Sequence, residues 1–381
     1  MVAVIKLIFF GSNMLHRFGG AEESAYRILN GLTNVDILVV AGVRKDVDDK
    51  FGVYDYRNVI RVPFANNKYF LYICYFINTF RTKRVFHSIE SDILFAQMRA
   101  AMAINAFNGP SAYFFRAEND LNVYRTYRKG LLRRITFLIK FLLEWPFFIF
   151  FCAENNRAVQ KAKLLVANSE FLATAIKKRF NKDAVIFYPP IDIKAISDIQ
   201  IPLLKEKRYI MMVGSEKVKG VEIFLKIAHM MPEHEFLLVG KSHKQEKIGN
   251  VTYHPFVQDP FKLYNTAKIL LVPSILEETF GRVSVEAQAV GIPALVSNRG
   301  GLPETVPSLD YVVDDIYDIE SWVNRIINIL NNYEFHSRKV KEYVQKFDMY
   351  SGLEKLLKAV YETTGVKLYA KSGAEKNVDN A

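Results

Sequence analysis

The sequence predicts an α/β protein built from two doubly wound halves, each a parallel sheet with helices on both faces. Three observations carry that prediction. Short apolar runs of four to eight residues alternate with helical stretches, which is the pattern of strands buried on both sides. The alternation halts at Tyr188-Pro189-Pro190 and starts again at Tyr209. The chain has 381 residues, 50% apolar and 24% charged, enough for two or three cores at about 150 residues per domain.

The elements follow in order. Residues 4–10 read as the first strand, 21–32 as the first helix and 35–41 as the next strand. A strand at 112–115, a long apolar helix around 135–153, a strand at 164–167, a helix at 170–180 and a strand at 184–188 complete an N-terminal domain, 1–190. Residues 191–207 show no period and read as a linker. The second domain, 208–346, opens with a strand at 209–213 ending at Gly214 and a helix at 221–231 stopped by Pro232. Strands at 236–239 and 269–272 end at Gly240 and Pro273. A helix at 282–290 is closed by Gly291-Ile292-Pro293 and followed by a strand at 294–296. Helices are expected at 319–331 and, near the C-terminus, within about 347–365, before a polar tail at 366–381.

Composition excludes several classes. Two cysteines, Cys74 and Cys152, cannot build a disulfide framework, and no Cys-x-x-Cys occurs, which fits a reducing, cytoplasmic setting. The opening MVAVIKLIFFGSN lacks the basic start and cleavage site of a secretion signal and reads as a buried strand. The 135–153 segment is interrupted by Lys140, Glu144 and Pro146. A central Lys or Asp costs about 2.5–3.5 kcal/mol on insertion scales, so this helix is read as core or interfacial and not as a span. The net charge of +11 is unevenly placed: residues 1–190 hold 27 Lys+Arg against 15 Asp+Glu, and residues 191–381 hold 24 against 25.

Open α/β sheets bind ligands beyond the carboxyl ends of their strands, so the loops after strands are the candidate site. Glu278 and Glu286 are separated by seven residues, with Glu278 in a loop after a strand and Glu286 in the following helix. Phe280-Gly281 forms that helix's entrance, where free N–H groups and the dipole favour a phosphate. Carboxylates beside a phosphate site serve better as acceptors for sugar hydroxyls. Isolated, each of these features is common: two glutamates at this spacing, glycines before a helix or a loop lysine arise often without function. Glu22 can simply favour the helix dipole, Glu304 can be a helix-terminus carboxylate, and His16 and His87 near candidate loops have the character of ordinary surface or core residues.

Together the motifs resemble the donor site of retaining glycosyltransferases of family 4, which have the two-domain GT-B fold. The resemblance rests on Glu278-x7-Glu286 with Phe280-Gly281, the Glu286-Ala-Gln-Ala-Val-Gly-Ile-Pro run and Gly300-Gly301-Leu-Pro-Glu304. It extends to Gly19-Gly20-Ala21-Glu22, Ala167-Asn168-Ser169-Glu170, Tyr188-Pro189-Pro190-Ile191-Asp192 and Val213-Gly214…Lys219-Gly220. It implies two Rossmann-like domains facing across a cleft, with the C-terminal helix returning to the first. It also implies the residue roles. Glu286 binds the ribose, Glu278 the donor sugar near its anomeric centre, and Lys219, with the backbone of Phe280 and Gly281, the departing diphosphate. Gly19 and Gly20 let the first loop approach that diphosphate.

Two departures stand out. The family's Gly-Arg is Gly214-Ser215 here, so one diphosphate cation is missing, and Lys217 is the candidate substitute. The family's histidine after the strand ending near Phe115 is also absent; Arg116 or Glu118 is the candidate for orienting an acceptor hydroxyl.

The expected activity is retaining transfer of a sugar from a nucleotide-sugar donor to a glycan or lipid-linked acceptor, in envelope polysaccharide or glycolipid synthesis. The candidate donor loops carry no Asp-x-Asp metal motif, so neither a metal ion nor another cofactor is expected. Seven cations between Arg116 and Lys140, leading into the aromatic 135–153 segment, suggest an anionic membrane surface as a further partner, the alternative being a solvated basic face. Two other readings stand beside this one: a GT-B phosphorylase or sugar-phosphate synthase, and a nucleic-acid-binding α/β protein. The second leaves the donor motifs unexplained, and no RRM, KH or helix-turn-helix signature supports it.

Overall fold

The computed structural model describes residues 4–371 apart from 13, 16–19, 44–52, 68–69, 122–131, 198–207, 241–244 and 258–260, with backbone alone for 118–119, 132–141 and 262. The chain divides into two compact units. One comprises Met1–Asn168, Leu172–Phe187 and Gly352–Ala381; the other comprises Ser169–Phe171 and Tyr188–Ser351.

The first part of the chain runs β1 (Ile5–Ser12), α1 (Gly20–Asn30), β2 (Leu32–Thr33), β3 (Val35–Val43), β4 (Val59–Pro63), α2 (Leu71–Phe86), β5 (Ile93–Gln97), α3 (Ala101–Ala106), β6 (Ser111–Phe115), α4 (Leu132–Lys161), β7 (Leu164–Ala167), α5 (Glu170–Phe180) and β8 (Val185–Ile186). Its seven-stranded sheet has the order β4-β3-β1-β5-β6-β7-β8, and every pairing is parallel. Because side chains alternate along a strand, the run Leu7–Phe10 supplies two cores at once. Leu7 and Phe9 join α1 and the C-terminal helix on one face, while Ile8 and Phe10 join α2, α3 and α5 on the other. Phe9, Phe95 and Phe114 meet across three neighbouring strands at 5.2–6.3 Å between centroids.

The glutamate inside the apolar α4 has a structural use. Glu144 is buried, and its Oε1 accepts the Tyr72 N–H at 3.0 Å, in the first turn of α2. Glu154, also buried, receives Arg157, Lys83 and Asn105 and so ties α2, α3 and α4 together. Among the described residues no helix is long and apolar enough to cross a membrane.

Glu22 is not a simple dipole partner. It is buried on α1, and desolvation, partly offset by a backbone hydrogen bond, raises its pKa from 4.5 to about 7. A carboxyl whose folded pKa is raised binds its proton more tightly when folded, so this contribution to stability is full below pH 4.5 and is lost as pH rises through about 7. Denaturation midpoints followed from pH 5 to 8 should therefore decline more steeply for the parent than for Glu22→Gln, with the variant the more stable at pH 8. Parallel curves would count against that origin.

The second part runs α6 (Ile193–Ser197), β9 (Tyr209–Val213), α7 (Val221–Met230), β10 (Glu235–Gly240), β11 (Glu246–Ile248), β12 (Val251–Pro255), α8 (Phe261–Tyr264), β13 (Ala267–Val272), α9 (Arg282–Ala289), β14 (Ala294–Ser297), β15 (Val312–Val313), α10 (Ile319–Asn331), α11 (Tyr333–Val344), α12 (Met349–Thr364) and β16 (Tyr369–Ala370). The sheet order is β11-β12-β10-β9-β13-β14-β15, and only the edge strand β11 is antiparallel to its neighbour.

The segment read as a featureless linker differs from that expectation. Ile191, Ile193 and Ile196 are buried in the second unit's core, and 193–197 is helical; three isoleucines spaced for burial outweigh the lack of a longer period. Residues 198–207 of the expected linker lie outside the described residues. From Gly352 onward α12 belongs with the first unit, where Leu353, Leu356 and Val360 join the face bearing Leu7 and Phe9. There β16 pairs antiparallel with β2.

Candidate active site

The second unit's sheet changes direction of winding at β9, which lies between β10 and β13. Loops leaving β9 and β13 therefore diverge around one crevice, where ligands of open α/β sheets bind. The loop after β9 carries Gly214, Ser215, Lys217 and Lys219; the loop after β13 carries Glu278, Phe280 and Gly281 and leads into α9 with Glu286.

These two loops are stitched together. Val218 O accepts the Ile275 and Leu276 N–H groups at 3.0 and 3.2 Å. Gly220, at φ +88°, sits where a Cβ would lie 1.8 Å from Pro273 O, so the loops approach backbone to backbone. Behind them, Gly300 forms a bridge with Glu278, and the Gly301 N–H donates to Glu278 O at 2.7 Å. A Cβ on Gly300, which has φ +60°, would stand 2.1 Å from that same carbonyl oxygen. The Gly-Gly pair thus holds the backbone that presents Glu278.

The side chains converge as the backbone predicts. Lys219 Nζ forms an ion pair with Glu278 Oε1. Ser274, fully buried, places its hydroxyl 3.2 Å from Glu278 Oε1 and 3.1 Å from Leu276 O, while Ser297 Oγ donates to Ser274 O at 2.8 Å. Glu286 accepts Arg282 Nε at 2.5 Å through Oε1 and lies 3.5 Å from the Tyr264 hydroxyl through Oε2. Burial, and then Glu286, push the Tyr264 phenol well above its usual range, so it stays a neutral donor. Gln288 and Thr305 lock α9 to the 302–305 turn through Ser284.

Other expected site residues are placed differently. The Phe280 side chain is buried against Tyr188 and Phe347, each at 5.4 Å, leaving its backbone to serve the helix entrance. Lys217 is exposed and engaged by Glu222 at 2.8 Å, whereas Arg282 stands at the first position of α9, against Glu286. Glu304 accepts the Glu170 and Phe171 N–H groups at 2.7 and 2.6 Å, all three within the second unit; this is a helix-terminus role.

In the first unit Gly20 begins α1, while Gly19 and His16 lie outside the described residues. Arg116 is buried; its Nε donates to Gln97 Oε1 at 3.1 Å, and Gln97 Nε2 donates to Ala21 O at 3.1 Å. Glu118 opens a 3-10 turn, and its side chain lies outside the described residues. His87 is the exposed C-cap of α2.

Ser274, Tyr264 and Arg282 were not singled out from sequence. Arg282 and Glu286 do have the four-residue helical spacing that lets side chains meet, and this signal was readable. Ser274 and Tyr264 reach the glutamates only through tertiary structure.

This fold is GT-B, and the comparisons with known proteins agree. Over 94% of this chain and 98% of the other, it resembles sucrose-phosphate synthase from Thermosynechococcus elongatus, with TM-score 0.67 and 15% identity. It similarly resembles Anabaena Alr3699/HepE in complex with UDP, with TM-score 0.68, 15% identity, and 94% and 100% coverage. Residues 193–347 match the family Glycosyl transferases group 1. Among curated relatives, spore coat protein SA of Bacillus subtilis is 24% identical over 254 residues, 55% of this chain and 67% of that one. D-inositol 3-phosphate glycosyltransferase of Mycobacterium sp. (strain KMS) is 26% identical over 206 residues, 46% of this chain. The match spans 47% of that relative, so it covers about half its length.

Proposed function

We propose that the chain is a retaining, metal-independent glycosyltransferase of family 4. It moves a sugar from a nucleoside-diphosphate donor to a glycan or lipid-linked acceptor at the cytoplasmic surface of a membrane. The observation that carries this reading is the Lys219–Glu278 ion pair at the sheet's switch point, beside the entrance of α9 and its Glu286. In the proposed step the bond from the anomeric carbon to the diphosphate oxygen breaks, and its electron pair goes to the diphosphate. That oxygen then takes the proton of the acceptor hydroxyl, whose oxygen bonds to the anomeric carbon on the same face through an oxocarbenium-like transition state. Lys219 and the N–H groups at the start of α9 stabilise the charge growing on the leaving group. Glu278 accepts from the donor sugar's hydroxyls, and Glu286 from the ribose. The diphosphate cation absent after Gly214 is supplied by Arg282, which stands at the first position of α9 beside the N–H groups of its entrance, whereas Lys217 is exposed and pairs with Glu222.

Thermal shift against UDP, GDP and ADP tests the donor site, UDP first because Anabaena Alr3699/HepE binds it. One nucleotide should raise the melting temperature, and Glu286→Ala should weaken its binding about ten- to hundredfold, the loss of a charge-assisted pair of hydrogen bonds. If none of the three stabilises the protein at saturating concentration, the donor assignment is wrong.

A further inference from the structure

We propose that the outer face of α2 and α4 in the first unit is the surface by which this protein lies on anionic lipid. This rests on the membrane-side reading of the acceptor given above. On α4, Leu142, Trp145 and Ile149 follow one another at helical spacing along the outer stripe, opposite the side that carries the buried Glu144 and the half-buried Phe148 and Phe151. Phe80, Leu142, Leu143 and Ile149 are half or more exposed, at 50%, 64%, 55% and 53%. The patch is continuous across both helices, because Phe76 of α2 touches Phe80 on its own helix and Phe147 and Phe150 on α4, with centroids 4.9–5.4 Å apart. A contiguous apolar surface of this kind on two helices marks an interaction site.

Charge selects the occupant. Arg81 and Arg84 are exposed one turn beyond Ile77 and Phe80, on the same stripe of α2. Residues 71–86 and 132–150 hold six Lys or Arg against one acidic residue, Glu144, and that carboxylate is buried and spent on the Tyr72 N–H. An apolar stripe flanked on α2 by the exposed Arg81 and Arg84 matches an acyl surface under negatively charged headgroups. A second copy of the chain would bring the same positive frame against itself, which opposes self-association through this face.

The two tryptophans make the test direct. Trp145 lies on the face and is 40% exposed; Trp322 is fully buried in the second unit. The full chain is mixed with phosphatidylglycerol–phosphatidylcholine vesicles, or with phosphatidylcholine alone, at about 0.15 M salt. Flotation with the anionic vesicles is expected, together with a blue shift of Trp145 emission and its quenching by brominated acyl chains. Trp145→Phe should abolish the optical change, leaving only the Trp322 signal. Phe80→Ser with Ile149→Ser should abolish flotation. Arg81→Glu with Arg84→Glu should weaken it about fivefold or more per cation removed. Recovery in the soluble fraction with unchanged Trp145 emission overturns the proposal. So does a dimer, measured by sedimentation, that dissociates in the Phe80/Ile149 variant. The nucleotide thermal shift of that same variant separates the two readings: retained stabilisation by a nucleotide with no flotation leaves the donor site standing and removes only the membrane face.

Discussion

Lys219→Ala is expected to lower kcat about a hundred- to a thousandfold while changing donor affinity much less, the size of effect seen when one preorganised donor to a growing negative charge is removed. Lys219 ends the short turn that follows Gly214, and Val218 beside it holds the loop from β13 through two backbone hydrogen bonds. Its ammonium is thus fixed before the reaction and loses little orientational freedom when the diphosphate departs. In the proposed mechanism the charge on that diphosphate rises as the glycosidic bond breaks, so the interaction would grow toward the transition state and appear in kcat more than in KM. Lys219→Arg should recover only part of the rate, because a planar fork does not replace a compact point charge. The pair with Glu278 is partly exposed, so folding stability should barely change. Initial rates of nucleotide release at saturating donor measure this, and turnover near that of the parent would remove Lys219 from the chemistry.

Gly220→Ala is expected to give the largest loss of stability of any single methyl added to the second unit's loops. The new Cβ would stand 1.8 Å from Pro273 O, a backbone atom that cannot rotate away, and φ +88° is strained for alanine regardless of space. Strain of this kind costs about 1–3 kcal/mol, which in a unit of this size lowers the melting temperature by about 2–12 °C. Gly365→Ala is the matched control. It has φ +75° with nothing within 4 Å of the added Cβ, so it carries the backbone strain without the collision. Thermal unfolding should rank Gly220→Ala well below Gly365→Ala. Equal midpoints would mean that the close approach of the two loops does not hold the unit together.

Much of the fold was readable because apolar runs in this chain are sharply punctuated. β7, α5, β9 and α10 have the bounds that their flanking breakers predict, Leu164–Ala167, Glu170–Phe180, Tyr209–Val213 and Ile319–Asn331. Between residues 42 and 111 the sequence pattern predicts no element, although β4, α2, β5 and α3 lie there. The reason is visible in α2, where Tyr72, Cys74, Tyr75, Asn78, Thr79 and Thr82 are all buried, so polar and apolar letters share the inner face and no clean period survives. In the candidate site, Glu278, Glu286 and Lys219 were legible as a spaced motif. Their mutual fixing was not: Ser274 and the Gly300–Gly301 backbone act on Glu278 from other loops, and Arg282, not Lys217, faces Glu286. Residue types at fixed spacing announce a ligand site, whereas its rigidity depends on contacts between segments far apart in sequence.

The bridge between Ile191 and Asp348, closed by the Met349 N–H donating to Ile191 O at 2.9 Å, has a consequence for how this protein can be rearranged. The chain enters and leaves the long stretch Tyr188–Ser351 side by side, so that stretch, which with Ser169–Phe171 makes up the second unit, is in effect a cassette inserted into the first unit's sequence. A cassette whose two ends are already paired can be exchanged for another of the same topology with one pair of junctions. Exchange at that doorway would replace the loops after β9 and β13 together while leaving the first unit's sheet intact.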